Sequence, residues 1–228
     1  MKTIGIIVAM QKEFAQLRNL LDNVEIAHLP QREMCLGQFG VNRIVLMQCG
    51  IGKVNAAIGT VEMINRYHPD LILSSGCAGG TGPLMNLTDI VAASETRFHD
   101  VYCGAETQIG IEQSMLATFK ADEHALQTLQ QLDLPVTLHI GTIVSGDWFV
   151  DSVEKMKFIY AEFPEAMAVD MESAAIAQAC HIYGVPFLSL RVVSDLPLQE
   201  NQQEQYAGFW DKVASNSFEV VKTLIESL

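Results

Sequence analysis

Four short stretches of the 228-residue chain carry residue types that can do chemistry. Ala9-Met10-Gln11-Lys12-Glu13 sets a carboxylate in the first turn of a helical pattern. Ser75-Gly76-Cys77-Ala78-Gly79-Gly80 lets backbone come close to a ligand, because glycine has no side chain in the way. Val169-Asp170-Met171-Glu172-Ser173-Ala174-Ala175 places two acids where a helix of small apolar residues begins. Arg191-Val192-Val193-Ser194-Asp195 closes the most hydrophobic strand of the sequence with a cation and an acid. Carboxyl groups in such places offer proton transfer, since burial and neighbours set when they are protonated. Each stretch also has a plainer reading. Glu13 can serve the helix dipole, and Asp170 can cap a helix with Glu172 as a favourable charge behind it. The glycines can form a simple turn. Arg191 can be an inert partner of Asp195 or of a Glu, because an unpaired charge at a buried strand end is costly.

The four stretches share a place: each follows an expected strand, and ligands of open α/β sheets bind outside the carboxyl ends of the strands. Strands are expected over 4–9, 34–39, 43–48 (around the turn Gly40-Val41-Asn42), 70–75, from 89, 136–144 and 185–193. Helical spacing is expected over 11–21, 51–67, 122–132, 153–163, 171–183 and, as one long terminal helix, 206–228. The alternation predicts one α/β domain over residues 1–228, with a largely parallel sheet covered on both faces. Residues 97–121 have weak periodicity and are expected to form a long loop.

Composition narrows the function. Hydrophobic residues make up 49%, charged residues 18%, and mean hydropathy is +0.20, which excludes disordered and low-complexity classes. No apolar run is long enough for a membrane helix, and Ile4–Met10 reads as a strand rather than a leader. The net charge of −13 disfavours nucleic acid and favours a neutral or cationic small ligand. The five Cys and six His are scattered, without metal-ligand spacing, so no metal and a reduced, cytoplasmic setting are expected. Gly50-Ile51-Gly52-Lys53-Val54 fails both the dinucleotide and the phosphate-loop patterns and reads as a tight strand-to-helix turn. No G-x-S-x-G elbow occurs.

Taken in order, Ile4–Glu13, Gly50–Val54, Gly76–Gly80, Val144-Ser145-Gly146-Asp147, Asp170-Met171-Glu172 and Ser194-Asp195 resemble the bacterial 5′-methylthioadenosine/S-adenosylhomocysteine nucleosidases of the nucleoside phosphorylase superfamily. The resemblance spans essentially the whole chain. It implies a single α/β domain with a central mixed, partly barrel-like sheet flanked by helices. It implies hydrolysis of 5′-methylthioadenosine and S-adenosylhomocysteine to adenine and the 5′-substituted ribose, with 5′-deoxyadenosine and a futalosine-type nucleoside left open. No cofactor is implied.

By the same resemblance Asp195 is the acid at adenine N7 and Glu13 the base for water. Glu172 grips the ribose hydroxyls, and Arg191 orients water and restrains the carboxylates. Phe149 stacks on adenine, the Val150 backbone reads its edge, and Ala78 and Gly79 lie near the base. Ser194 belongs to the binding set, Met171 lies under the sugar, and Met10, Ile51 and Tyr206 border the 5′ substituent. Cys77 stands where the family usually has Ser, a weaker hydrogen-bonding group at a sugar or water contact. Tyr206 replaces a common Phe, and Asp170 a more usual Glu. A homodimer is implied, with residues 97–121 near the neighbouring active site. A phosphate-dependent purine nucleoside phosphorylase is the alternative of the same superfamily, and a catalytically idle binding protein the alternative from another class.

Overall fold

The structure, a computed structural model, describes residues 1–29, 32–81, 85–111, 116–212 and 216–228. β1 (Thr3–Val8) runs into α1 (Gln11–Leu20), and β2 (Asp22–Leu29), β3 (Arg32–Phe39) and β4 (Asn42–Gln48) form an antiparallel meander. Then follow α2 (Lys53–Tyr67), β5 (Leu71–Gly80), β6 (Ile90–Phe98), β7 (Phe119–Lys120), α3 (Glu123–Gln130) and β8 (Leu138–Ser145). The chain continues with α4 (Val153–Glu162), β9 (Ala166–Asp170), α5 (Ser173–Tyr183), β10 (Phe187–Asp195), α6 (Gln202–Lys212) and α7 (Asn216–Ser227).

Among the described residues all ten strands belong to one mixed sheet, in the order β10-β6-β8-β9-β5-β1-β4-β3-β2, with β7 beside β6. β10 also pairs with β5, so β5, β9, β8, β6 and β10 close into a five-stranded barrel from which the other strands extend. Coverage of both faces explains the unbroken apolar runs. In β1, Ile4, Ile6 and Val8 pack on one side with α1 and α7, while Ile7 packs on the other with α2 and α5. Successive strand residues point to opposite faces, so a strand covered on both sides needs apolar residues throughout. Ile6 is fully buried, and cutting such a residue to Ala costs about 2–5 kcal/mol.

Several expectations change. The sheet is mixed rather than largely parallel, as the partly barrel-like form required. β5 continues through Gly76–Gly80, which form strand and not a turn. β2, β7 and β9 are strands that the spacing did not reveal. The terminal helix is two helices, α6 and α7, with residues 213–215 between them outside the described residues. The 97–121 segment is irregular apart from its strand ends, and its residues 112–115 are likewise outside.

Candidate active site

The barrel register brings distant residues to one end of the sheet. β10 lies parallel to β5 with Arg191 opposite Gly76, Val192 opposite Cys77 and Val193 opposite Ala78. A register shift between Val193 and Asp195 then sets Asp195 opposite Gly79. Such a bulge re-aims a side chain at the end of a ladder. β9 joins β5 and β8, so Asp170 ends beside Ser145. α1 starts from the end of β1 and carries Glu13 into the same place.

Glu13 is buried. Its Oε2 accepts hydrogen bonds from the Ala9 and Met10 N–H groups (3.0 and 2.8 Å), and its Oε1 from the Cys77 N–H (3.0 Å). It therefore caps its own helix from a buried position, where the plainer reading expects a dipole charge, and also ties α1 to β5. A side chain at Gly76 would meet Glu13 Oε1 at 2.6 Å, so this position requires glycine. Burial pushes the Glu13 carboxyl above its ordinary pKa, although the three backbone donors and Arg191 pull it down.

Glu172 stands at the start of α5, buried. Its Oε1 accepts the Gly52 N–H at 2.8 Å from the turn before α2, where Gly52 holds φ +93°. Burial first, and then the Asp170 charge, raise its pKa from 4.5 to about 8, against Arg191 and the Gly52 bond. Asp195 is buried with both oxygens occupied: Oδ1 by the Ser194 hydroxyl (2.6 Å) and Oδ2 by the Gln202 amide (2.7 Å). Burial raises its pKa above the usual carboxylate value, and these two donors lower it.

Arg191 corrects the simplest expectation. Its Nε donates to Asp170 Oδ2 at 2.7 Å, a buried ion pair, and its second amino group to Ser74 Oγ at 2.8 Å. Asp195 lies four residues along the same strand, which is about 13 Å at the usual rise, too far for a direct pair. Asp170 also accepts from the Ser145 hydroxyl (2.5 Å) and from the Ser173 hydroxyl and N–H, and Ser173 Oγ meets Ser189 Oγ at 2.7 Å. One polar network thus joins β5, β8, β9 and β10 inside the barrel. Burial pulls the Arg191 pKa down, but Asp170, Glu172 and Glu13 outweigh it and raise it. The sequence reading placed Asp170 only as a cap. An acid ending an apolar strand run was the signal for a buried role.

A cavity with about 600 Å³ of empty space, its mouth included, opens over these groups. Glu13, Glu172 and Asp195 all line it, together with Met10, Ile51, Cys77, Ala78, Gly79, Phe149, Val150, Met171, Ser194 and Tyr206. Arg191 is held behind it by Asp170. Ala9, Trp148, Val169, Asp170 and Pro197 complete the wall without having been singled out as ligand contacts. Phe149 is 47% exposed at the mouth, its ring 5.2 Å from that of Tyr206, whose hydroxyl reaches Met10 Sδ at 3.9 Å. Burial lifts the Tyr206 hydroxyl to about 12 and the Cys77 thiol well above its usual value, so both stay protonated. No Lys, Arg or His is among the described residues of the wall. Nor do the described residues contain a cluster of three or more metal-ligating side chains.

Outside the cavity, Lys53 Nζ donates to both oxygens of Asp100 (2.8 and 2.7 Å), Asp100 accepts the Asp147 N–H, and Asp147 accepts the Lys53 N–H (2.8 Å each). These bonds fix the loop carrying Phe149 and Val150 against the start of α2. Neither Asp100 nor Asp147 was picked out from the sequence for this task.

A barrel of this topology, with acids gathered around a cavity at the carboxyl ends of its strands, defines an α/β protein of the nucleoside phosphorylase type. The match to known proteins is specific: residues 3–226 fit the phosphorylase superfamily, and the chain belongs to it. It aligns with the 5′-methylthioadenosine/S-adenosylhomocysteine nucleosidase of Desulfotalea psychrophila at 37% identity, over 99% of this chain and 97% of that protein. Among solved structures, the nucleosidase of that name from Neisseria meningitidis, in complex with methylthio-immucillin-A, superposes with a TM-score of 0.94 at 34% identity over the full length of both chains. The adenine-bound one from Borrelia burgdorferi superposes at 0.93 with 35% identity, over 99% of this chain and all of the other.

Proposed function

We propose that this chain is an N-glycosyl hydrolase, a nucleosidase that cleaves 5′-methylthioadenosine and S-adenosylhomocysteine to adenine and the 5′-substituted ribose. The observation that carries the reading is the sharing of one cavity by three buried acids from distant parts of the chain, beneath an apolar rim.

Loss of a purine from ribose passes through an oxocarbenium-like sugar, as in glycoside hydrolysis. The base leaves well only when protonated. Asp195 delivers that proton to N7, and its raised pKa serves the role. The Val150 backbone reads the amino edge of the base, and Phe149 and Tyr206 close over it. Met171 lies under the sugar, and Glu172 grips the ribose hydroxyls. Glu13 takes the proton of the attacking water: three of the roughly four acceptor positions of a carboxylate are filled by backbone N–H groups, and one remains. Arg191, through Asp170, holds this frame as a positioning residue.

The wall also favours water over phosphate as the acceptor. A phosphate would sit among Glu13, Glu172 and Asp170, while Arg191 already spends its Nε on Asp170. The test is adenine release from a panel of 5′-methylthioadenosine, S-adenosylhomocysteine and 5′-deoxyadenosine, with and without phosphate. Release without phosphate is expected, and strict phosphate dependence would overturn hydrolysis.

A homodimer belongs to the same reading. An apolar hollow beside α2 and α5 is lined by Val54, Phe98, Val101, Leu116, Ile182 and Tyr183, several of them well exposed, and it adjoins the Lys53–Asp100 clamp. A second copy seated there would bring residues 97–121 near the neighbouring cavity. Light scattering is expected to give twice the 25.1 kDa chain mass. A cytoplasmic location fits the five free thiols, and no described helix is long and apolar enough to cross a membrane.

A further inference from the structure

Gln202, the first residue of α6, is only 4% exposed and stands behind the cavity wall rather than in it. Its side-chain nitrogen donates to the Val150 carbonyl oxygen at 2.5 Å and to Asp195 Oδ2 at 2.7 Å. A backbone carbonyl can only accept, so Val150 by itself turns the NH2 of the amide inward, whichever protonation state Asp195 holds. Val150 and Asp195 both line the cavity, and they come from different elements, the loop after β8 and the end of β10. One amide spans the two. The helix behind it is firmly seated, because residues three, four and seven along from Gln202 share its face. Gln205 Oε1 accepts the Leu196 N–H at 2.9 Å, which pins the residue after Asp195. Tyr206 lines the cavity, and Phe209 is buried in the same apolar cluster as Val192 of β10.

From this we infer that Gln202 is a positioning residue for the proposed hydrolysis: it couples the acid to the backbone that reads the base, so that both meet the purine in one geometry. The inference rests on the nucleosidase reading. N7 and the 6-amino group of adenine lie side by side on one edge of the base. An acid at N7 and a carbonyl at the amine must then be set against each other, and a donor shared between them does this from outside the cavity. Gln202 does not compete with the base. A carbonyl oxygen has two acceptor positions and a carboxylate roughly four. Gln202 takes one on each partner and Ser194 one more on Asp195, which leaves room for the amine and for the proton that passes to N7. The bond to Oδ2 forms in both states of the acid. It is stronger to the ionised one, so Gln202 pulls the Asp195 pKa down against the upward push of burial.

The experiment compares wild type with Gln202→Met, which keeps the side-chain length without a donor, and Gln202→Asn, one methylene too short to span both partners. Turnover of 5′-methylthioadenosine is followed by adenine release from pH 5 to pH 9. Both variants are expected to lower kcat by about 10- to 100-fold, with KM changed less than kcat. In the Met variant one limb of the kcat/KM profile is expected to move to higher pH, because the acid has lost a donor to its ionised form. The other titratable and charged groups around Asp195 do not supply that shift. Cys77 on β5 and Tyr206 on α6 stay protonated, Arg191 on β10 is committed to Asp170, and Glu13 and Glu172 take their hydrogen bonds from backbone N–H groups elsewhere. A kcat within threefold of wild type, or a loss of kcat with both limbs in place, would overturn the positioning role. Circular dichroism establishes that each variant is folded. Should the Met variant unfold, the Asn variant carries the test, since wild-type kcat in it would show that no tether is needed. If wild type itself releases no adenine, the nucleosidase reading fails first, a result distinct from any difference among the variants.

Discussion

The two ends of the cavity handle buried acid in opposite ways. At one end Glu13, Glu172 and Asp170 surround Arg191, and Asp170 takes a full ion pair plus hydroxyl donors from Ser145 and Ser173. At the other end Asp195 meets only neutral donors, the Ser194 hydroxyl and the Gln202 amide. A carboxylate that is ion-paired and hydrogen-bonded to a buried guanidinium cannot leave without stranding the cation. A carboxyl facing neutral donors can gain or lose a proton without leaving a bare charge behind. The first arrangement builds a frame, and the second builds an acid. The largest expected effect follows from the second. Asp195→Asn keeps the shape, with its amide oxygen accepting from Gln202 and its NH2 turned to the Ser194 oxygen, but removes the proton, and is expected to lower kcat by about 10²–10⁴-fold with little change in unfolding. A kcat within tenfold of wild type would place the acid elsewhere.

The frame end should fail in the opposite manner. Asp170→Ala leaves Arg191 buried without its partner, and breaking a buried pair from one side costs about 3–5 kcal/mol. Urea unfolding is expected to show that loss, with Asp170→Asn losing less because its amide oxygen still accepts from Nε. A larger stability loss for Asp195→Asn than for Asp170→Ala would erase the division between frame and acid.

This division also marks how far the sequence could be read. The β-branched run of β1, the apolar β10 and the motif order were enough for the α/β class, and by resemblance for the barrel. Every residue proposed as a ligand contact lines the cavity, and only Arg191 lies behind it. What escaped was set by contacts between remote strands. Arg191 finds Asp170 only because β10 and β9 both join β5 in a closed ring, and no spacing along one strand reveals that. β9 is a run of five residues, too short to separate from the start of a helix. β2 has exposed Glu25 and Ile26 on an outer strand, so its alternation is blurred. Gln202 carried no motif at all, and its significance comes from the bulge that turns Asp195 toward it.

Glu172 tests the electrostatic contrast through pH. Its pKa rises from 4.5 to about 8 on folding. Between those values the native protein holds more protons than the unfolded chain, so stability falls as pH rises through the window. Glu13 and Asp195, also raised, add slopes of the same sign. Glu172→Gln can keep the Gly52 bond through its amide oxygen and has no proton to lose. Relative to wild type it is expected to gain stability steadily from pH 5 to pH 8 and to level off above, while losing activity. Thermal melts across that range check it. A constant offset between the two proteins would show that Glu172 titrates normally.

Cys77 is expected to give the smallest effect, and it probes the seam between the two ends. Its N–H holds Glu13 at 3.0 Å, a backbone contact that no substitution at this position alters. Its thiol faces the cavity and the Ser194 hydroxyl, which in turn holds Asp195. Because burial and the nearby Glu13 keep the thiol neutral, it is no nucleophile here and acts only as a weak donor and acceptor. Cys77→Ser keeps the size class and strengthens that group by the order of one ordinary hydrogen bond, about 0.5–1.5 kcal/mol. If the side chain helps to place water or the sugar, kcat rises by about 2- to 10-fold with KM nearly constant. A shift in KM alone would put Cys77 with the binding wall instead, and a fall in kcat would mean that the larger, softer sulfur is part of how this cavity fits its nucleoside.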